Sequence, residues 1–164
     1  MSLKQFCSNC RAENLSGATV CVRCGTSLSE TEPNSYDRKL IQALQHPIPE
    51  MREMAAILLG QRRNQHALPV LLSRLREETD VAELCAIIQA LAQLGDCEAV
   101  PSLAKRLAQP HALPVALTIV DALAALAQTG CWEAREVLKA PPPVSERVAQ
   151  EINATLETLN RLYY

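Results

Sequence analysis

The chain has very few aromatic side chains. Phe, Trp and Tyr make up 3% of its 164 residues, although apolar residues as a whole make up 48%. A β-sheet core favours aromatic and β-branched residues, whereas closely packed helices are readily built from Leu, Ala, Ile and Val. The composition therefore predicts an all-α fold.

The chain also lacks the features of several functional classes. Its formal net charge is −2 and its pI is near 5.9, so it lacks the excess of basic residues that is typical of nucleic-acid-binding proteins. Its five glycines are scattered singly, so no Gly-rich loop can cradle a phosphate. The N-terminus has no apolar signal segment, and no apolar run is long enough to span a bilayer. We expect a cytoplasmic protein with one sizeable domain and one small module.

Candidate catalytic residues are scarce. His46, His66 and His111 lie in predicted turns, far apart in the chain. None is accompanied by the Cys, Ser or carboxylate pattern of a nucleophile and its base. We expect a protein that is not an enzyme.

Four of the seven cysteines form two Cys-x-x-Cys pairs, Cys7 with Cys10 and Cys21 with Cys24, separated by ten residues. Each pair places two thiolates within reach of one ion, and two pairs complete a tetrahedral Zn²⁺ site with no position left for an activated water. Disulfides would require an oxidising compartment, and a thioredoxin-like redox pair would require a single motif in a βαβ setting. The pattern predicts one structural Zn²⁺.

The sequence around these pairs resembles the short bacterial zinc ribbon. Residues 7–14 read Cys-Ser-Asn-Cys-Arg-Ala-Glu-Asn, and residues 17–25 read Gly-Ala-Thr-Val-Cys-Val-Arg-Cys-Gly. Arg11 stands where that family usually has Gly, which we expect to strain the first turn without removing a ligand. The segment has few apolar side chains, so metal binding would supply folding free energy, on the order of 10 kcal/mol. We predict a zinc ribbon over residues 1–28 and a polar linker over 29–36.

A longer segment occurs three times, at residues 57–71, 89–103 and 124–138, with offsets of 32 and 35 residues. Each copy has a small residue, then Gln, then Ala six residues later, and Leu four residues after that. Repeats of this length are typical of stacked helical pairs. Each copy is predicted to contain the end of one helix, a turn and the start of the next. Asp80 and Glu83 are predicted to form a capping box at the start of one of these helices.

The second copy, which contains Ala-Leu-Ala-Gln-Leu-Gly-Asp-Cys-Glu-Ala-Val-Pro-Ser-Leu, resembles the HEAT-like repeats of the phycobilisome-lyase type. The first copy departs from the pattern at Arg63-Asn64 and the third at Arg135-Glu136. The resemblance covers about residues 37–140 and implies a short α-solenoid of about four helix pairs. We predict a helical domain over residues 37–164 that ends in a capping helix. The resemblance implies no reaction, because such folds serve many functions.

The resemblance also implies a binding surface, since the second helix of each pair lines the concave side of a HEAT-like stack. Residues at equivalent positions then form rows across the repeats. The predicted partner-binding residues are Gln61, Gln93 and Gln128 in one row, Ile57 and Gln89 (with Ala124) in the next, and Glu53 (with Cys85 and Val120) in the third. The alternative for the glutamines is that this position simply faces water near a helix end.

Three cysteines lie outside the ribbon. Cys85 is on an apolar stripe and is predicted to be a small core residue. Cys97 and Cys131 lie in predicted turns, at nearly equivalent positions one repeat apart. A second metal site would need further ligands, and none has suitable spacing, so the sequence assigns these two cysteines no role.

These observations favour a non-enzymatic adaptor or scaffold whose partner is another protein, within a larger assembly. Two alternatives stay open. The ribbon could read nucleic acid with the helices as a cradle, as in some HEAT-like DNA glycosylases, but the helical part carries 13 basic and 15 acidic residues. The chain could also be an accessory factor resembling the HEAT-like lyases that attach pigments to light-harvesting proteins.

Overall fold

A computed structural model of the chain describes residues 4–7, 10–15, 17–25, 28 and 33–162. The chain divides into two compact units, Met1–Lys39 and Leu40–Tyr164. Within the described residues, no helix is both long enough and apolar enough to cross a membrane.

The first unit contains a two-stranded antiparallel ribbon. Strand β1 (Lys4–Phe6) pairs with β2 (Glu13–Leu15), so that Lys4 lies opposite Leu15 and Phe6 opposite Glu13. An exposed ion pair joins Lys4 Nζ and Glu13 Oε2 at 2.7 Å. The first cysteine pair lies in the connection between the strands.

Helices make up most of the rest, which confirms the predicted all-α class. A 3₁₀ turn, Gln65–Ala67, lies between the second and third helices. Helix α1 begins at Pro33, inside the segment interpreted as a linker, where the fixed φ of proline favours a helix start. In chain order, the helices are α1 (Pro33–Ala43), α2 (Pro49–Gln61), α3 (Leu68–Glu77), α4 (Val81–Leu94), α5 (Ala99–Leu107), α6 (Leu113–Gln128), α7 (Trp132–Lys139) and α8 (Glu146–Leu162).

The helices of the second unit form two layers. Helices α2, α4, α6 and α8 pack side by side in that order, while α3, α5 and α7 form a second layer against them. The core between the layers consists almost entirely of Leu, Ile, Val and Ala. The predicted HEAT-like solenoid is confirmed. At its end, α8 buries Val148, Ile152 and Leu159 against the core and exposes its other side.

Helices α2 and α4 approach one another closely where small residues meet. Gly60 in α2 lies against α4, and a Cβ atom added to Gly60 would be 2.7 Å from Ala90 Cα. No side chain fits at that distance, so the spacing of α2 and α4 is limited by backbone contact. This close contact accounts for the small residue at this position of the first copy.

One carboxylate is buried between the first two helix pairs. Glu83 in α4 is 1% exposed and accepts hydrogen bonds from Arg52 Nε (2.8 Å) and Arg74 Nη2 (2.6 Å). Arg52 also donates through Nη1 to the carbonyl of His46, and Arg74 pairs with Glu78. The network ties α2, α3 and α4 together through one buried charge.

The same network corrects the predicted capping box. Asp80 Oδ1 accepts from the Glu83 amide at 2.9 Å, as predicted for the N-cap. The Glu83 side chain, however, bonds to the two arginines, and the Asp80 amide donates to Glu78 Oε1 instead. A carboxylate bonds more strongly to guanidinium groups than to a neutral amide, which explains the difference.

The turns after α2, α4 and α6 each contain a residue with a left-handed backbone. Gly95 and Gly130 occupy this position with φ of 73° and 103°, and Arg63 occupies the equivalent position in the first copy with φ of 49°. A side chain in this region costs roughly 1–2 kcal/mol because its Cβ crowds the following carbonyl. The departure of the first copy from Gly-Asp is therefore a strained site.

Replacement of Arg63 by Gly is expected to stabilise the second unit by roughly 0.5–1 kcal/mol, because the relief of strain exceeds the extra chain entropy of glycine. Urea unfolding followed by circular dichroism measures the change. Arg62→Gly is the control, since Arg62 has φ of −82° and gains nothing from glycine. Destabilisation by both substitutions would contradict the assignment of strain to Arg63.

Candidate metal centre and binding face

The two Cys-x-x-Cys segments form matching turns. The Arg11 amide donates to the Cys7 carbonyl at 2.9 Å, and the Gly25 amide donates to the Cys21 carbonyl at 3.0 Å. Arg11 and Gly25 both take positive φ, 56° and 69° respectively. Arg11 therefore adopts the conformation that glycine occupies in the second turn, as expected from its departure from the ribbon pattern.

The four sulfurs lie together. Their Sγ atoms are all within 4.8 Å of one another, with 3.6 Å between those of Cys7 and Cys24 and 3.6 Å between those of Cys10 and Cys21. Zn–S bonds of about 2.3 Å in a tetrahedron place sulfurs about 3.8 Å apart. The donor set therefore fits one Zn²⁺, a structural ion held by Cys7, Cys10, Cys21 and Cys24.

Asn14 joins the two turns and was not singled out from the sequence. Its side chain is 4% exposed, its Nδ2 donates to the Ala12 carbonyl at 2.8 Å, and its Oδ1 accepts from the Val22 amide at 2.9 Å. Nδ2 also lies 3.7 Å from Cys21 Sγ. The only sequence signal for this role is its place in the Ala-Glu-Asn segment of the ribbon motif.

The thiols interact strongly in the absence of a cation. The Ala12 amide acts to lower the pKa of Cys10, but burial and hydrogen bonds with the thiols of Cys24, Cys21 and Cys7 outweigh it and raise the pKa to about 12. For Cys21, burial acts to raise the pKa, but the amides of Arg23 and Cys24 and the Cys10 thiol outweigh it and lower the pKa. Four thiolates repel one another at these distances, and a divalent cation removes that repulsion.

The second unit has a face that we call the second-helix face, formed by the outward sides of α2, α4, α6 and α8. Of the predicted residues, Gln61, Gln89, Gln93 and Gln128 are exposed on it, and Ile57, Glu53 and Ala124 are half-buried. Cavities lie between neighbouring helices of this face, with a volume of about 230 Å³ between α4 and α6 and about 250 Å³ between α6 and α8. The structure brings Gln89 and Gln93 to the rim of the first cavity.

The third predicted row lies only partly on this face. Val120 is fully buried and Cys85 is half-buried, where its sulfur accepts a hydrogen bond from Thr118 Oγ1 at 3.5 Å. The prediction for Val120 is wrong because α6 turns that side toward the core. Thr118 and Asp121 line the cavity instead.

Asp121 is an ionisable group that the sequence reading missed. Partial burial raises the pKa of its carboxyl, and the negative charge of Glu151 on α8 raises it further. Both acids line cavities of the second-helix face. A sequence signal was available, since Asp121 is the one charged residue of α6, whose other residues are mostly apolar.

The comparisons with known proteins agree with this geometry. The profile for HEAT repeats matches residues 38–124, more than half of the chain. The chain belongs to the HEAT-repeat family. In this HEAT-repeat protein, the profile of a zinc-ribbon domain matches residues 6–28.

The HEAT-repeat protein is also similar to the bilin biosynthesis protein PecE of Mastigocladus laminosus. The two are 39% identical over 85 residues, which cover 52% of this chain and 30% of PecE. The chain thus spans less than a third of the length of this curated relative. No solved structure matches the chain significantly.

Removal of Zn²⁺ is expected to unfold the ribbon and leave the HEAT-repeat unit folded, because each helix pair is held by its neighbours. Metal analysis of the purified protein should give about one equivalent of zinc, and a chelator should barely change the helical circular dichroism. The variant Cys10→Ser should bind zinc more weakly, whereas Cys85→Ser should not. Loss of most of the helical signal with the metal would contradict the prediction.

The raised pKa of Asp121 predicts a pH dependence. A carboxyl whose pKa is higher in the folded than in the unfolded chain lowers stability as the pH rises through that interval, because the folded state loses its preference for the proton. Asp121→Asn should therefore raise the thermal midpoint at pH 7, and the gain should vanish near pH 3. The control is the same substitution in helix α1, Asp37→Asn, measured at both pH values. An equal gain at both pH values would contradict the assignment.

Proposed function

We propose that this HEAT-repeat protein is a non-enzymatic adaptor that binds another protein along the second-helix face, with the zinc ribbon as a structural module. The observation that carries the proposal is the cavity between α4 and α6, which has exposed glutamines at its rim and small side chains at its base. HEAT repeats generally mediate contacts between proteins, which supports the same function.

The chemistry of this cavity suits a polypeptide. Ala92, Ala122 and Ala125 leave room for a partner backbone or side chain to come close to the helices. Each glutamine amide carries both donor and acceptor atoms, as a peptide group does. Gln89 and Gln93 can therefore bond to the main chain of a bound segment whatever its side chains are.

The acids add a preference to this surface. The charge of Asp121 is disfavoured in the free protein, since burial and Glu151 both oppose its ionisation. A cationic side chain on the partner would relieve that penalty. The face thus favours a segment that contains Lys or Arg and disfavours the phosphates of nucleic acid.

The ribbon supports a structural rather than catalytic role. Four thiolates fill the coordination sphere of Zn²⁺, so no position remains for substrate or for a metal-bound water. The three histidines lie in three different segments between helices, with His46 Nδ1 accepting from the Ile48 amide and His66 exposed.

The test compares partner recovery for matched surface variants. The tagged full-length chain is purified from native cells, and co-purified proteins are quantified by mass spectrometry. Gln89→Arg should reduce recovery of the specific partner at least about tenfold, because it puts a cation where the partner supplies neutral or positive groups. Gln150→Arg makes the same change at an exposed position of α8, outside the lining of the cavities between α4 and α6 and between α6 and α8, and should leave recovery unchanged.

Thermal unfolding accompanies each variant. Gln89→Arg should leave stability within about 0.5 kcal/mol of the wild type, whereas Leu91→Ala, a fully buried truncation, should cost about 2–5 kcal/mol. Gln93 is not used for the main test because its Oε1 lies against Gly60 of α2. If Gln89→Arg keeps the partner and a ribbon variant loses it, then the ribbon is the recognition element and the proposal fails.

A second candidate function rests on the similarity to PecE. That relative is named for bilin biosynthesis, and 39% identity over 85 residues favours an accessory role near bilins for this chain as well. Titration of the full chain with a linear tetrapyrrole distinguishes the two candidates. A saturable shift in bilin absorbance that Gln89→Arg abolishes would favour the second candidate over the first.

A further inference from the structure

Neighbouring repeats are joined at their turns, and two successive joints use the same position of the repeat. In the first joint, Gln65 Nε2 donates to the Leu94 carbonyl at the end of α4, at 2.9 Å. Cys97 occupies the position equivalent to Gln65, one repeat further on. Its sulfur is bonded to that of Cys131, in the turn that follows α6. The same position therefore makes a hydrogen bond in one joint and a covalent bond in the next.

The folded repeats themselves bring these two cysteines together. Their Cα atoms are 5.4 Å apart, within the range that a disulfide requires, although they are separated by 34 residues. Each is held by its own turn, since the Val100 amide donates to the Cys97 carbonyl at 3.0 Å and the Cys131 amide to the Leu126 carbonyl at 3.0 Å. Formation of the bond thus depends on the packing of α4 and α6 and not on local sequence.

The two cysteines differ in exposure. Cys97 is exposed, whereas Cys131 is 1% exposed. The exposed residue can meet a reagent from solution, and the buried one can be reached only by its neighbour. This is the arrangement of an attacking thiol with a resolving thiol beside it.

We propose that Cys97 and Cys131 form a reversible thiol–disulfide site that closes and opens the joint between the second and third repeats. The oxidant is a low-molecular-weight disulfide, such as oxidised glutathione. The Cys97 thiolate attacks one sulfur of the reagent, forms a mixed disulfide and releases one thiolate of the reagent. The Cys131 thiolate then attacks Cys97 Sγ, forms the protein disulfide and releases the second thiolate. Two protein thiols lose two electrons and two protons, and the reagent gains them as two thiols.

The remaining cysteines do not compete for this reaction. Cys7, Cys10, Cys21 and Cys24 hold Zn²⁺, and coordination withdraws their thiolates from exchange. Cys85 lies within α4, half-buried, with its sulfur in contact with Thr118. The site is therefore specific to one pair among seven cysteines.

The bond constrains a region that borders the second-helix face. Gly95 and Thr129, from the two turns that the bond joins, line a cavity of about 500 Å³ together with Gln93 and Gln128. Closing the bond fixes the distance between the ends of α4 and α6. The redox reaction itself does not rest on the proposed adaptor function and is tested without a partner.

The first test maps the bond in the full-length, zinc-loaded chain. The variant Cys85→Ser is used because Cys85 and Cys97 share one tryptic peptide, residues 77–105, while Cys131 lies in 107–135. Samples are incubated with oxidised glutathione or with dithiothreitol, blocked with N-ethylmaleimide, digested without reduction and analysed by mass spectrometry. Oxidation should give the 77–105 peptide cross-linked to 107–135, dithiothreitol should give both peptides alkylated, and re-oxidation should restore the cross-link.

The second test measures how much the disulfide raises the thermal unfolding midpoint. A bond that closes a loop of this length should raise the thermal unfolding midpoint by roughly 5–15 °C in the oxidised over the reduced chain. Cys97→Ser, at the exposed position, should give the same midpoint under both conditions.

Three results would overturn the proposal. The first is absence of the cross-link after oxidised glutathione, and the second is a cross-link that excess dithiothreitol opens only in denaturant. The third is an oxidised chain whose midpoint equals that of the reduced chain.

Discussion

Close contact between helices α2 and α4 is the constraint on which the rest of the HEAT-repeat unit depends. Where Gly60 meets Ala90, α2 and α4 touch through backbone atoms, and the added Cβ of any other residue would have no space. Such spacing leaves little volume for aromatic rings, which explains why the core is built from Leu, Ile, Val and Ala. It also fixes the register of one helix pair on the next. That register decides which turn residues face each other, including Gln65 with Leu94 and Cys97 with Cys131.

Among the described residues, Glu83 is the one charged residue that is buried in this apolar packing. Its carboxylate is removed from water and is compensated by Arg52 on one side and Arg74 on the other. Loss of either arginine would leave an unbalanced buried charge, a more costly defect than loss of an exposed ion pair. The network places a buried charge in the first joint, whereas the second joint has the Cys97–Cys131 bridge and a hydrogen bond from Thr118 to Cys85. Different joints of one repeat array are thus held by different chemistry.

The parts of the structure that could be predicted are those encoded in local spacing. The paired Cys-x-x-Cys segments, the Asp80 N-cap and the three copies with their conserved Gln and Ala positions all depend on residues close in sequence. The parts that could not be predicted depend on which neighbour a side chain meets. The sequence predicts Glu83 as the partner in a capping box because the two arginines that bind it lie on other helices. It predicts Val120 on the binding surface because equivalent positions in a repeat do not fix how each helix is rotated about its axis. In the aligned copies, Cys131 lies one position before the residue equivalent to Cys97. Only the stacking of the turns explains why these two cysteines meet.

Trp132 occupies the position of the third copy that is equivalent to Gln65 and Cys97, directly after Cys131, and it is 68% exposed. It is the sole tryptophan of the chain. Disulfides quench the fluorescence of an adjacent indole by accepting an electron from its excited state, whereas thiols do so more weakly. Opening of the Cys97–Cys131 bond would therefore be expected to change the emission of this indole, without any added label.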